Sequence, residues 1–238
     1  MPIPIHSIIC TKSILIAKDV YDVRFRKPQG FTFKPGQFVL FDVPLIEHPE
    51  DIQPRAFSLA SLSEDSELAF VVKLKEGGRA SRWIVERLKE GTEVKMKGPF
   101  GNFLLDRATE KEYLFIATGA GVAPFRPMIL DVLQAGDTRR IDLIFGVRTE
   151  QDLFWQKEFE DLTQQYKNFF LHIPLSQPSD TWKGPRGRVQ TLVPHVAHDF
   201  SRKNIYICGS PDMTAELKKL CLEQWGITKS DLHVEGYI

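Results

Sequence analysis

Three short stretches of this chain have residue types and spacings suited to a phosphate-bearing ligand with flat rings. In YLFIATGAGVAPFRPMI, residues 113–129, an apolar run ends at Thr118, Gly119 and Gly121 follow, and Ala123 and Pro124 open a predicted helix. Glycines let a ligand approach the backbone, and a helix N-terminus offers N–H groups and a positive dipole end to phosphate. Proline suits the first helical turn. The proline also breaks the six-residue dinucleotide fingerprint, so the segment reads equally as a tight strand-to-helix turn. In PRAFSLAS, residues 54–61, strand alternation puts Arg55 and Phe57 on one face, with Ala56 and Ser58 on the other. Arginine forks onto phosphate, an aromatic ring stacks on a heterocycle, and serine hydrogen-bonds a ring atom. The plainer alternative is an edge strand with an exposed arginine and a core phenylalanine. GGRAS, residues 77–81, presents Gly78, Ala80 and Ser81 ahead of a predicted helix, as an anion turn or as a glycine turn with a capping serine. Cys208, placed before Gly209 at a predicted strand end, is a candidate pocket liner rather than a plain buried hydrophobe.

Two kinds of element must position these residues. From about 7 to 105 the chain carries short segments rich in β-branched and aromatic residues, such as VYDVRFR, GQFVLFDV and ELAFVVKL, punctuated by Gly, Pro and charged clusters. That spacing predicts an antiparallel sheet closed into a barrel or sandwich, with one helix over 79–89. After Asp106 the pattern changes: YLFIATG, IDLIFGV, FFLHIPL and NIYICG read as buried strands, separated by helices over 123–133 and 151–166 and from Val189. Met213, Leu217, Leu220 and Cys221 mark a last amphipathic helix. Alternating β and α elements imply a parallel sheet with right-handed crossovers. The expected division is 1–106, an antiparallel β-barrel, and 107–238, an α/β domain. Open α/β sheets bind ligands beyond the carboxyl ends of their strands, which puts Gly119, Gly121, Gly146, Cys208 and Gly209 on one edge.

Composition narrows the function classes. Lys plus Arg and Asp plus Glu both total 31, so the formal charge is zero, which disfavours a broad grip on nucleic acid or an anionic membrane. Three cysteines are too few for a four-thiolate iron–sulfur cluster or an all-cysteine zinc site, and scattered single thiols suit a reducing compartment, the cytoplasm. No run approaches the roughly 18 apolar residues of a spanning helix, and the opening residues lack the basic region of a targeting signal. No metal is expected.

Taken in order, KPGQF, RAFS, GGRAS, GPFGNF, ATGAGVAPFRPMI, GVRTEQDLFW, CGSPDM and VEGY resemble the motif series of ferredoxin–NADP reductase-like flavoproteins, over residues 33–237. The resemblance implies an FAD-binding barrel followed by a nicotinamide-nucleotide α/β domain. It assigns Arg55, with Ala56 beside it, to the FAD pyrophosphate, Phe57 to the flavin ring where relatives usually carry tyrosine, and Ser58 to the flavin N5. Gly78, Ala80 and Ser81 would wrap the FAD phosphates, and Lys73 would be a further cofactor contact. Thr118, Gly119, Gly121 and Pro124 would form the nicotinamide-nucleotide pyrophosphate loop, with Gly146 and Arg148 on the same edge. Cys208 and Gly209 would wall the nicotinamide. Glu235 and Tyr237 match an ending in which an aromatic covers the flavin, here with Ile238 added after the tyrosine. Ser58, Cys208, Glu235 and Tyr237 are thus the expected catalytic set.

By the same resemblance the activity is FAD-dependent NAD(P)H oxidation, with electrons passed to a separate ferredoxin, flavodoxin or oxygenase component by a monomeric protein. Arg148, Lys183, Arg186 and Arg188 are available to a 2′-phosphate, yet Gln177 stands where NADPH-selective relatives carry arginine, which tilts the expectation to NADH with NADPH as the alternative. Two other functions fit the same motifs: an NAD(P)H:flavin reductase that releases reduced flavin, and a non-catalytic nucleotide-binding module. Basic residues for docking an acidic carrier, Lys73, Lys75, Arg79, Arg82 and Arg87, are interleaved with Glu76 and Glu86.

Overall fold

The fold comes from a computed structural model that describes residues 4–237, so Ile238 lies outside the described residues. Backbone contacts divide the chain into two units: Met1–Leu105 with Ala123–Asp131, and Asp106–Val122 with Val132–Ile238.

The first unit holds β1 (Ile5–Ala17), β2 (Val20–Arg26), β3 (Phe38–Pro44), β4 (Ile52–Ser58), β5 (Glu67–Lys73), α1 (Arg79–Glu86) and β6 (Glu93–Phe100). The strands form one antiparallel sheet of order β4-β3-β6-β1-β2-β5. Strand β3 shows why: Val39, Phe41 and Val43 are buried while the residues between them are half-exposed, the period-two pattern of a strand with one covered face. Register shifts at Cys10/Lys12 and Leu15/Ala17 bend the long β1, so that it pairs with β6 at one end and β2 at the other. Phe25, Phe41 and Phe70 meet edge-on at 5.0–6.0 Å in the core, and Trp83 and Ile84 of α1 pack on the same cluster. Each such side chain contributes about 1.5–3 kcal/mol by leaving water. Helix α1 is shorter than the 79–89 expected. It closes at Arg87, yet Leu88 beyond the cap is still buried, so the apolar spacing runs past the helical hydrogen bonds.

Gly36 fixes how the chain enters β3. Its φ is +95°, and a Cβ there would lie 1.9 Å from the Phe103 carbonyl oxygen and 2.3 Å from the Met128 methyl. Gly36→Ala is therefore expected to destabilise the fold by about 2–4 kcal/mol through strain and overpacking. Urea denaturation measures it, and a change below about 0.5 kcal/mol, the surface-site range, would refute the packing argument.

The second unit holds β7 (Glu112–Thr118), α2 (Phe125–Gln134), β8 (Ile141–Gly146), α3 (Gln156–Gln165), β9 (Phe169–His172), α4 (Val189–Ala197), β10 (Lys203–Gly209), α5 (Pro211–Glu223) and β11 (Leu232–Gly236), although most of α2 clusters with the first unit. All pairs are parallel, in the order β11-β10-β7-β8-β9. Strands β8 and β10 are buried at every position, which accounts for the apolar runs over 143–145 and 205–208 that follow the polar residues Asp142, Lys203 and Asn204 near their starts. Two helix starts differ from expectation. Gly119–Val122 form a 3-10 turn, so α2 begins at Phe125 rather than Ala123. The 151–166 helix begins only at Gln156, because a capping box between Thr149 and Asp152 closes a separate 3-10 turn and Trp155 is left-handed at φ 55°.

At the start of the sheet, Asp142 and Lys203 are buried together. The Asp142 carboxylate accepts from Arg140 Nε at 2.8 Å, from His172 Nε2 at 3.0 Å and from Lys203 Nζ at 3.3 Å, and Lys203 also reaches Glu112 at 2.8 Å. Burial pushes the Asp142 carboxyl up, but the His172 and Arg140 hydrogen bonds and the Lys203 charge outweigh it and hold the group at about 2. Among the described residues no helix is long and apolar enough to cross a membrane.

Candidate functional site

In the second unit the strand order reverses at β7, which lies between β8 and β10, the place where open parallel sheets form a ligand crevice. The chain is bare at this edge. Gly119 has φ +52° and nothing within 4 Å of where a Cβ would stand. Gly121 lies so close to β10 that a Cβ would sit 2.3 Å from the Cys208 carbonyl oxygen and 2.7 Å from Gly209 Cα. Gly209, at φ +154°, would put a Cβ 2.2 Å from Thr118 Oγ1. The Ser210 amide donates to that same Thr118 oxygen at 3.4 Å. Thr118, Gly119, Gly121, Cys208 and Gly209 therefore form one edge, with backbone packed on backbone beside open space.

Strand β11 completes this edge. Cys208 pairs in register with Glu235, and the Tyr237 amide donates to the Gly209 carbonyl at 2.8 Å. Burial pushes the Cys208 thiol well above its ordinary range, the Glu235 charge adds to that, and the Tyr237 hydroxyl works against it. Cys208 is thus a neutral thiol, suited to lining a pocket and not to nucleophilic attack.

The other expected residues of this half have different surroundings. Gly146 is buried, and the place of its Cβ is occupied by Val189 of α4 at 2.4 Å, so its bareness admits a helix side chain. Pro124 is buried between the 3-10 turn and α2, in the segment that clusters with the first unit. Arg148 is exposed and donates through Nε to Gln177 Oε1 at 2.8 Å. Two residues on, Glu150 accepts from Ser179 N at 3.0 Å and from Ser179 Oγ at 2.6 Å.

In the first unit, β4 is the end strand of the sheet. Arg55 is half-buried, and its guanidinium donates to Gln53 Oε1 at 2.8 Å and to the Pro54 carbonyl at 2.9 Å. Phe57 is half-buried with its ring 5.0 Å from Phe41, so one side belongs to the barrel core. Ala56 is exposed, and half-buried Ser58 pairs with Phe38. Gly78 caps α1 in an extended conformation, with no side-chain cap and no acidic residue in the first helical turn. Ser81 accepts from the Lys75 amide at 2.7 Å and so closes the turn from inside α1. Ala80 packs against the core cluster. Lys73 donates to the Lys18 carbonyl at 2.6 Å, with Asp19 at 3.8 Å, at the β1–β2 turn. The basic residues of α1 have acidic partners: Arg79 bonds Asp51, and Arg82 bonds Glu47 and Glu86.

A guanidinium on β4 and an uncapped, acid-free start of α1 have the donor chemistry for a diphosphate, and the bare edge of β7 and β10 has it for a second. The residues present fit a dinucleotide in each unit. Sequence reasoning missed Gln53, Glu150 and Ser179. Gln53 carried one signal, its two-residue spacing from Arg55, whereas the Glu150–Ser179 pair spans 29 residues and carried none.

Comparison with known proteins gives two family matches: residues 7–104 match the oxidoreductase FAD-binding domain and residues 115–219 the oxidoreductase NAD-binding domain. Ferredoxin--NADP reductase B of Sorangium cellulosum is 32% identical over 92% of this chain and 91% of its own length. The reductase component DmpP of phenol 2-monooxygenase from Pseudomonas sp. is 37% identical over 76% of this chain and 51% of its own length. Among solved structures, the Amycolatopsis cytochrome P450 reductase GcoB superposes with a TM-score of 0.86 at 25% identity, covering 99% of this chain and 71% of that one. The chain therefore spans nearly all of the first relative but about half of the phenol reductase component.

Proposed function

This chain belongs to the ferredoxin–NADP reductase family of FAD- and NAD-binding oxidoreductases, and from that premise we propose that it oxidises a nicotinamide dinucleotide and delivers the electrons to a separate acceptor. The acceptor is a small iron–sulfur carrier or an oxygenase component, as the names of the relatives suggest for those proteins. The protein acts in the cytoplasm, a reading supported by three buried free thiols, and its taking part as a monomer is part of the same proposal. Residues 1–106 serve FAD and 107–238 the nicotinamide nucleotide.

The observation that carries this reading is the bare edge where Gly121 meets Cys208 and Gly209. There Thr118, Gly119 and Gly121 offer backbone to the nicotinamide diphosphate, with no Cβ at either glycine, and Pro124 lies in the turn that leads to α2. Neutral Cys208 walls the nicotinamide and excludes water, and Glu235 sets the charge behind it. Tyr237 stands beside Cys208 and yields as nicotinamide enters, a gating step. In the first unit Arg55, oriented by Gln53, holds the FAD diphosphate together with the start of α1 at Gly78, while Phe57 presents its outer side to the ring system and Ser58 donates a hydrogen bond to it. FAD held by these residues would supply the chemistry that links two-electron hydride exchange to one-electron transfer. Arg55 and the uncapped helix favour retained FAD over the flavin-releasing alternative.

The test is anaerobic addition of NADH, then NADPH, to the purified yellow protein, followed by turnover with a one-electron acceptor. Bleaching of the flavin and acceptor reduction are expected, and a flavin that neither nucleotide bleaches would overturn the reading. Tyr237→Ser is expected to tighten oxidised nicotinamide by about tenfold and to slow hydride transfer, because a gate that competes with the ligand is removed. Equilibrium titration and stopped-flow reduction check this, and unchanged values would remove Tyr237 from the gate.

A further inference from the structure

The strand next to the glycine turn is β8, and in open α/β sheets the adenosine ribose lies beyond the end of that strand, where an acidic residue suits a free 2′-hydroxyl and an arginine suits a 2′-phosphate. Both residue types follow β8 here, Arg148 and Glu150, and the loop after β9 engages each of them. Ser176 N bonds the Val147 carbonyl at 3.1 Å and Gln177 N bonds the Arg148 carbonyl at 2.8 Å, so the two loops run side by side. Gln177 Oε1 accepts from Arg148 Nε at 2.8 Å, and Glu150 takes two hydrogen bonds from Ser179 at 3.0 and 2.6 Å.

We propose that this clasp selects a nicotinamide dinucleotide with an unphosphorylated adenosine ribose, and that Glu150 is the residue that rejects the 2′-phosphate. The inference rests on the nicotinamide site described above and adds the nucleotide it takes. The charges around the clasp favour this direction. Arg186, whose charge acts on Glu150, is turned onto backbone carbonyls of Ser179 and Trp182 at 2.9 and 3.2 Å. Lys183 and Arg188 are exposed on the loop that follows, facing water, where screening weakens their pull on a phosphate. Glu150 in contrast is fixed by Ser179, and those hydrogen bonds hold its carboxyl below the usual range, so it stays ionised at neutral pH. A phosphate brought to the same ribose edge meets a carboxylate that has no freedom to turn away, and like charges at such a site separate two otherwise similar ligands. A free ribose hydroxyl instead gains an acceptor.

The test uses two probes that differ only at this position, ADP-ribose and its 2′-phosphate, titrated by calorimetry into the FAD-loaded protein at low salt. ADP-ribose is expected to bind about tenfold or more tighter, the scale of one well-placed like-charge contact. Glu150→Gln, whose amide oxygen still accepts from Ser179, should narrow the difference by about tenfold and leave ADP-ribose within about threefold of the parent. Gln177→Arg should raise affinity for the 2′-phosphate alone. Stopped-flow reduction by NADH and NADPH should rank the three proteins in the same way. Equal or tighter binding of the 2′-phosphate by the parent protein would overturn the proposal, as would equal losses of both ligands in Glu150→Gln. If neither ligand binds while FAD remains bound, the nicotinamide site itself is misassigned, an outcome distinct from binding without discrimination.

Discussion

Replacing Gly121 with alanine is expected to lower kcat/KM for the nicotinamide substrate about a hundredfold or more while FAD stays bound, the scale of an ångström-level misplacement of a reactant. The added methyl would stand 2.3 Å from the Cys208 carbonyl oxygen and 2.6 Å from its carbon. Those atoms belong to β10, which is held by β7 on one side and β11 on the other, so they have no route of retreat. The ends of β7 and β10 must part, and the nicotinamide edge widens where it needs to be closest. Gly119→Ala is the control. Nothing stands within 4 Å of its Cβ position, so only the strain of φ +52° is added, about 1 kcal/mol, and turnover should fall far less. Steady-state kinetics, the visible flavin spectrum and circular dichroism read the three quantities separately. A Gly121→Ala enzyme with parental kcat/KM would show that the backbone approach at this edge has no part in binding.

The second large effect is on stability. Asp142→Ala removes the carboxylate that faces Lys203, a side chain only 3% exposed, and leaves that ammonium with Glu112 as its partner. Breaking a buried ion group from one side costs about 3–5 kcal/mol, and chemical denaturation at pH 7 should show a loss of that size. The pH dependence has a definite sign. The Asp142 carboxyl is held at about 2 against an ordinary 3.8, so its contribution is complete above pH 4 and is lost as the pH falls toward 2. The depression corresponds to about 2–3 kcal/mol. The gap between parent and variant should therefore stay constant from pH 5 to 8 and narrow below pH 4. A gap that widens on acidification would show that the carboxyl is not held in its ionised form.

Much of this architecture was legible because the physics that shapes it is local. Strands β7, β8 and β10 announce themselves by apolar runs through their middles and carboxyl ends, since both faces are covered there, whereas the buried Asp142 and Lys203 at the starts of β8 and β10 carried no such signal. Helix ends were harder. Leu88 keeps the apolar period beyond α1, and Phe154 does so ahead of α3, yet one packs from past a cap and the other from the residue before the left-handed Trp155. Glycines at the site were visible as glycines, but their reasons were not: Gly121 clears backbone, whereas Gly146 clears Val189. Cys208, Glu235 and Tyr237 come together through parallel pairing of β10 with β11, which the order of the motifs suggested and a single-residue reading of VEGY did not. The Glu150–Ser179 and Arg148–Gln177 pairs depend on two loops running side by side, and neither loop carries a pattern that names its partner.

Helix α2 carries a practical consequence for anyone exchanging modules within this family. Residues Ala123–Asp131 cluster with the first unit, although they fall inside the 115–219 stretch matched to the NAD-binding domain, and the division at Asp131 cuts α2 itself. Phe125 sits against Phe103, and the Arg126 guanidinium donates to the Ala60 carbonyl at 2.7 Å. A chimera spliced once near residue 106 would replace residues 123–131, and with them the Phe125 and Arg126 contacts to the first unit, by a foreign segment. Grafting a new nucleotide preference therefore calls for either a double splice that keeps native 123–131 or substitutions confined to the loops after β8 and β9. Inheritance of the two functions is modular along the chain, but their folding is interleaved.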